Sequence, residues 1–214
     1  MSLRTLRMRS TRPTLLLAAL AASSLLGACA PLLIGGAIVG SSMMVTDRRT
    51  SGTQIEDQSI ELKSVSRVSE VLGDRGHVSI TSYNRLVLIT GEVPTEADKA
   101  AVELAVARIE NVRSIVNELG VTSVSSFGTR SNDTLLTSKV KASIVDTKDL
   151  QTNAFKVVTD RGVVYLMGRV TEREATRAAE VARGVGGVRK VVRVFEVVSE
   201  AELAETQPKP SAKP

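Results

Sequence analysis

The chain has no tryptophan, 2% aromatic residues, one cysteine and one histidine. A single cysteine forms no internal disulfide, so stability must come from packing even in a compartment that would permit a cross-link. His77 has no second histidine or thiolate to complete a metal site and reads as an ordinary strand or surface residue. Scarce aromatic rings leave few platforms on which bases could stack. The glycines of Gly35-Gly36 lack the Lys-Ser/Thr of a phosphate loop or the spacing of a dinucleotide turn, and Gly184, Gly186 and Gly187 are expected to end a helix and turn the chain. No nucleophile with a base is visible, and Glu172 with Glu174 at a helix start reads as capping. The sequence therefore predicts a protein without catalytic residues, cofactor, metal, nucleic-acid partner or small-molecule substrate.

Charge is present but unevenly placed. The formal net charge is +5, of which Arg4, Arg7, Arg9 and Arg12 supply four. An uncharged run from Leu15 to Leu26 follows, closing on Leu26-Gly27-Ala28-Cys29. A basic start, an apolar middle and small residues before a cysteine make a secretory signal over residues 1–28, with cleavage before Cys29 and lipid on its thiol. The motif resembles the bacterial lipobox of a gram-negative envelope protein. No charge appears from Thr14 to Thr46, long enough for a bilayer span if uncleaved, but Gly35, Gly36, Gly40, Ser41 and Ser42 interrupt its second half. Residues 29–53 are read as a lipidated leader.

Sliding the chain on itself at an offset of 77 residues reveals a repeat. Leu86 to Val93 aligns with Val163 to Val170, each an apolar strand running into a glycine, Gly91 or Gly168. Thr95, Glu96 and Ala97 then meet Glu172, Arg173 and Glu174 at helix starts. One deletion, placed after that helix, brings Asn111 to Val116 onto Gly187 to Val192, a turn and a β-branched strand. Ahead of each central strand lies another β-rich stretch, joined to it by a hairpin at Tyr83-Asn84-Arg85 or Asp160-Arg161-Gly162. Helices are expected over Ile60 to Leu72 and Thr134 to Val145, the second capped by Asn132 and Asp133. Each copy reads α-β-β-α-β, an α+β unit whose three-stranded mixed sheet packs under two helices. The copies occupy residues 54–122 and 131–199, with a linker at 123–130 and a disordered tail at 200–214.

The copies differ in sign. Residues 54–122 hold 7 Lys/Arg and 11 Asp/Glu, whereas residues 131–199 hold 12 and 8. Basic residues beside anionic headgroups contribute on the order of 1 kcal/mol each, so the second copy is the expected membrane reader and the first should face away. In its first helix Leu136, Val140 and Ile144 recur at the spacing of a buried face. Leu135 then projects beside Lys139 and Lys141 as an apolar wedge among cations.

The repeat resembles the BON domain, present twice. Ser131-Asn132-Asp133-Thr134, Leu166-Met167-Gly168 and Val170-Thr171-Glu172-Arg173-Glu174-Ala175 are similar to the second domain of the outer-membrane lipoproteins associated with division and envelope stress. The resemblance implies a non-enzymatic lipoprotein facing the periplasm, with Ala30 after the cysteine compatible with outer-membrane sorting. It implies that the helix binds an anionic phospholipid such as phosphatidylglycerol, with apolar contacts at Leu135, Val140 and Val145. The family often carries Trp at the position of Leu135, so this chain lacks that interfacial anchor. Periodicity places Val140 inside, which favours Leu135 and Lys139 as the lipid contacts. The alternative is an adaptor whose first domain docks an envelope assembly factor or a regulator of a cell-wall hydrolase.

Overall fold

The computed structural model describes residues 47–206. Cys29, the expected signal and most of the expected leader lie outside them, as do residues 207–214. The first domain runs α1 (Ser51–Leu72), β1 (His77–Tyr83), β2 (Leu86–Val93), α2 (Glu96–Ala107), β3 (Ser114–Asn117) and β4 (Gly120–Val121). The second runs α3 (Phe127–Val145), a 3-10 turn (Thr152–Ala154), β5 (Phe155–Asp160), β6 (Val163–Val170), α4 (Glu172–Arg183) and β7 (Lys190–Val197), and a closing helix α5 (Glu200–Thr206) follows. In each sheet the hairpin is antiparallel and the strand after the second helix runs parallel to the central strand. β3 and β4 hold one register on β2 and together match β7, interrupted at Glu118 and Leu119, where Leu119 turns into the core.

Both first helices start earlier than the apolar periodicity suggests. Thr50 caps α1 and Ser126 caps α3, each accepting from the amide three residues on. Residues 51–53 of the expected leader and 127–130 of the expected linker are therefore helical. Neither cap is followed by an acid at the third position, so the sequence lacks the usual capping-box signature. Asn132 and Asp133 do not cap α3 but lie inside it. Buried Asp133 instead accepts from the amides of Arg161 and Gly162, both at 2.8 Å. Asp57 on α1 does the same for Asn84 and Arg85, also at 2.8 Å. Those four residues have positive φ, the backbone of tight two-residue hairpin turns, and each helix satisfies the amides its turn leaves open.

The second helices correct the repeat by one residue. α2 and α4 are both 12 residues long, capped by Thr95 and Thr171. The unmatched residue is thus Pro94, before the helix, and Asp98 rather than Ala97 is the counterpart of Glu174. Gly91 and Gly168 keep the expected register because β1 and the turn before β5 crowd them. A Cβ would lie 2.0 Å from the His77 carbonyl oxygen or 2.2 Å from that of Ala154.

Each sheet is buried on both faces. Ile60, Val87, Ile89, Val102 and Val106 fill the space between the first sheet and its helices. Val140, Ile144, Val164, Leu166, Ala178 and Ala182 do so in the second domain. The opposite faces share one core, where Tyr83 and Leu88 meet Tyr165, Met167 and Val194. The sheets pack back to back, which explains why the central strands read as continuous apolar runs rather than alternating ones. Residues 200–206 are helical with Leu203 buried, so the disorder expected from residue 200 does not begin there.

Candidate functional site

The buried stripe of α3 is Leu136, Val140 and Ile144, joined by Asp133. This overturns Val140 as a lipid contact, because it is 0% exposed and forms part of the core. Leu135 and Val145 point the other way, at 62% and 59% exposure. They are ten residues apart, about 15 Å along the helix. Ala142 is exposed between them, and Lys139 and Lys141 are exposed on opposite edges of the same face. Neither lysine makes an ion pair among the described residues. The result is an apolar strip edged by two uncompensated cations.

Much of the second domain's remaining positive charge faces its own acids or the first domain. Lys156 donates to Glu61 at 2.8 Å and to the Ser82 carbonyl at 3.1 Å. Arg161 lies 3.6 Å from buried Glu92, which also accepts from the Ser125 hydroxyl. Asn84 donates to Glu196, and Arg113 lies 3.6 Å from the same carboxylate. The opposite signs of the two copies therefore act partly across their shared seam. Lys156 and Arg161 are thereby engaged across the seam, whereas Lys139 and Lys141 of α3 are among the second-domain cations left without an ion pair among the described residues.

The segment before α1 fastens the domains together. Arg48 makes a bidentate pair with Glu174 of the second domain, at 2.8 and 2.7 Å, and donates to the Arg169 carbonyl at 2.9 Å. Burial pushes the Glu174 carboxyl up, but Arg48 and the Thr171 amide outweigh it and hold the group below its ordinary value. Arg49 turns to the first domain, reaching Asp57 at 2.7 Å and lying over the Tyr83 ring. Burial likewise pushes Asp57 up, and donors from Ser82, Arg85, Arg49 and Asn84 bring it below the usual range. Burial raises the Tyr83 hydroxyl to about 12. None of these contacts was legible in sequence, since Arg48 and Arg49 read as part of a leader.

Sequence reasoning also passed over the outer face of α1. Ile55 and Leu62 are 68% and 74% exposed there, with Val65 beside them. A helical-wheel reading extended to Thr50 would have found them. Lys63 and Arg67 on this helix are paired, with Glu110 at 3.8 Å and Glu70 at 3.0 Å, so this apolar strip lacks uncompensated lysines. Between α1 and the C-terminal end of α3 lies a cleft of about 530 Å³. His77 is exposed at the start of β1, Glu174 completes a capping box with Thr171, and no metal-binding cluster occurs among the described residues.

These features define a tandem α+β protein with exposed apolar side chains on the first helix of each domain. The sequence matches the BON domain over residues 59–123 and 132–199. It is 35% identical over 180 residues to the outer membrane lipoprotein DolP of Haemophilus influenzae, covering 83% of this chain and 92% of that protein. It is 30% identical over 161 residues to the 21 kDa hemolysin of Actinobacillus pleuropneumoniae, covering 74% and 83%. Osmotically-inducible protein Y of Escherichia coli is 27% identical over 117 residues, covering 53% and 58%. A structure of CdsD, a structural protein of the Chlamydia trachomatis type III secretion system, covers 69% of this chain and 99% of its own at 10% identity and a TM-score of 0.27, too low to bear on function. The chain belongs to the dual BON-domain outer-membrane lipoproteins, and these relatives associate it with the cell envelope.

Proposed function

We propose that this protein is a non-enzymatic lipoprotein, anchored through Cys29 to the periplasmic face of the outer membrane, that recognises anionic phospholipid through α3. The observation that carries the reading is the pairing of exposed Leu135 and Val145 with Lys139 and Lys141, which have no anionic partner among the described residues. Apolar insertion and headgroup attraction reinforce one another on such a face. Asp47 and Val145 line the same cleft, so the tether joins the folded unit beside the end of α3. The 17 residues between Cys29 and Asp47 can reach at most about 60 Å, ample for both attachments to engage one membrane. Acylation would hold the protein at the membrane while α3 selects anionic regions within it, consistent with a role in envelope integrity and at the division site.

The test is sedimentation of the unlipidated mature chain, carrying Cys29→Ser, with liposomes of phosphatidylglycerol or phosphatidylcholine. Preferential binding to phosphatidylglycerol that Leu135→Glu removes is the expected result. Equal binding of parent and mutant would exclude α3 as the lipid reader. A second reading rests on exposed Ile55 and Leu62, an unpartnered apolar face suited to an envelope protein. Substitutions there should impair an adaptor while sparing liposome binding.

A further inference from the structure

The cleft between α1 and α3 combines an apolar wall with a charged mouth. Ile144, Val145, Phe155 and Val157 of the second domain supply the wall, and Tyr83 closes it from the first. Arg49 and Lys156 also line it, but Asp47, Asp57 and Glu61 engage them. Lys141 is the remaining lining cation, and no acid pairs with it among the described residues. A cavity at a domain junction, largely apolar with a few placed polar groups, is a common setting for a small ligand, and 530 Å³ falls within the range such sites occupy. Its rim includes Lys141 and Val145, which are exposed on the membrane-facing surface proposed for α3. An amphiphile could therefore enter from that surface without crossing open water.

We propose that this cleft binds a single anionic phospholipid drawn from the bilayer, its phosphate at Lys141 and one acyl chain along Ile144, Val145, Phe155 and Val157. This rests on the lipid reading of α3 and shares Lys141 and Val145 with that surface, but Leu135, near the middle of the helix, does not line the cleft. Charge complementarity favours an anionic headgroup. The apolar residues Met43, Met44 and Val45 stand one residue before Asp47 with Thr46 between, so the chain's own leader is the competing occupant.

The experiment titrates short-chain phosphatidylglycerol, kept below its micelle concentration, into the Cys29→Ser chain and follows methyl and ring NMR signals. Saturable shifts at Ile144, Val157 and Phe155, with little change at Leu135, are expected. Lys141→Glu should weaken this binding by about tenfold or more, since it replaces a headgroup attraction by a repulsion. Leu135→Glu should leave it intact while abolishing liposome sedimentation, so failure of the cleft and failure of the α3 surface give different results. Absence of saturable shifts, or shifts confined to Leu135, would overturn the proposal. So would binding that appears only after residues 29–46 are removed, which would identify the leader as the occupant. A Lys141→Glu protein that binds as well as the parent would overturn the placement of the phosphate, provided its thermal unfolding is unchanged.

Discussion

The first helices of the two domains, α1 and α3, occupy equivalent places, each on its own sheet, and diverge where they meet solvent. Inward, each offers an apolar stripe and one buried aspartate, Asp57 or Asp133, that holds a hairpin turn. Outward, each exposes apolar side chains, Ile55 and Leu62 on one and Leu135 and Val145 on the other. The difference lies in the cations. Lys63 and Arg67 on α1 are paired with acids, whereas Lys139 and Lys141 on α3 have no acidic partner among the described residues. A duplicated scaffold can thus preserve its interior while the charges on its exposed faces are redistributed. The comparison also separates apolar exposure, common to both helices, from uncompensated positive charge, particular to α3.

The largest test concerns the buried aspartates. Asp57 receives four donors, including the Arg49 guanidinium, whereas the bonds to Asp133 come from the two turn amides. Asp57→Ala should cost about 3–5 kcal/mol, the range for removing one partner of a buried ion pair. Asp133→Ala should cost about 1–3 kcal/mol, for amides left without an acceptor. Urea unfolding of the unlipidated chain measures both. Equal losses would mean that Arg49 adds nothing and that the two aspartates are interchangeable.

A second test uses pH to compare the seam in its charged and neutral forms. Asp57 and Glu174 titrate below their ordinary values of 3.8 and 4.5. The unfolded chain therefore takes up protons first, so the stabilisation is complete above those values and is lost as pH falls through the lower folded ones. Glu174→Gln should be less stable than the parent at neutral pH, and the two should converge as the pH drops below about 4.5. A constant gap between them across that range would show that Arg48 does not stabilise the charged carboxylate.

The lysines sharpen the functional side of the comparison at smaller cost. Lys139→Gln and Lys141→Gln should each weaken binding to phosphatidylglycerol liposomes by about 1 kcal/mol, with a reduced dependence on salt. Lys63→Gln and Arg67→Gln should change it little. If all four act alike, general attraction by the whole surface would replace recognition by α3.

The features the sequence disclosed were those with a local signature. Gly91 and Gly168 stood out because a backbone approach admits no side chain there, and the hairpins because two successive residues needed left-handed backbone. Val140 could be assigned inward from its spacing against Leu136 and Ile144, although the family resemblance placed it among the lipid contacts. What stayed hidden was set by distant partners. The spacing of Asp133 suggested a helix cap, and only the position of the turn between β5 and β6 shows its acceptor role. Arg48 reads as a solvated charge until Glu174 comes within 2.7 Å across 126 residues of sequence. The early starts of α1 and α3 were missed because their first turns contribute little to the apolar stripe, leaving a hydroxyl cap as the main signal.

The finest discrimination comes from removing apolar exposure on α1 alone. Ile55→Ser and Leu62→Ser replace side chains that are mostly in water, so each should alter stability by less than about 0.5 kcal/mol. Without uncompensated lysines beside them, these residues should contribute little to headgroup attraction, and liposome binding by the double variant should match the parent. A loss as large as that from Leu135→Glu would mean that both helices lie on the membrane, and that paired cations suffice. Unchanged lipid binding together with impaired envelope integrity in cells would instead assign α1 to a protein partner, giving the two copies different ligands on equivalent faces.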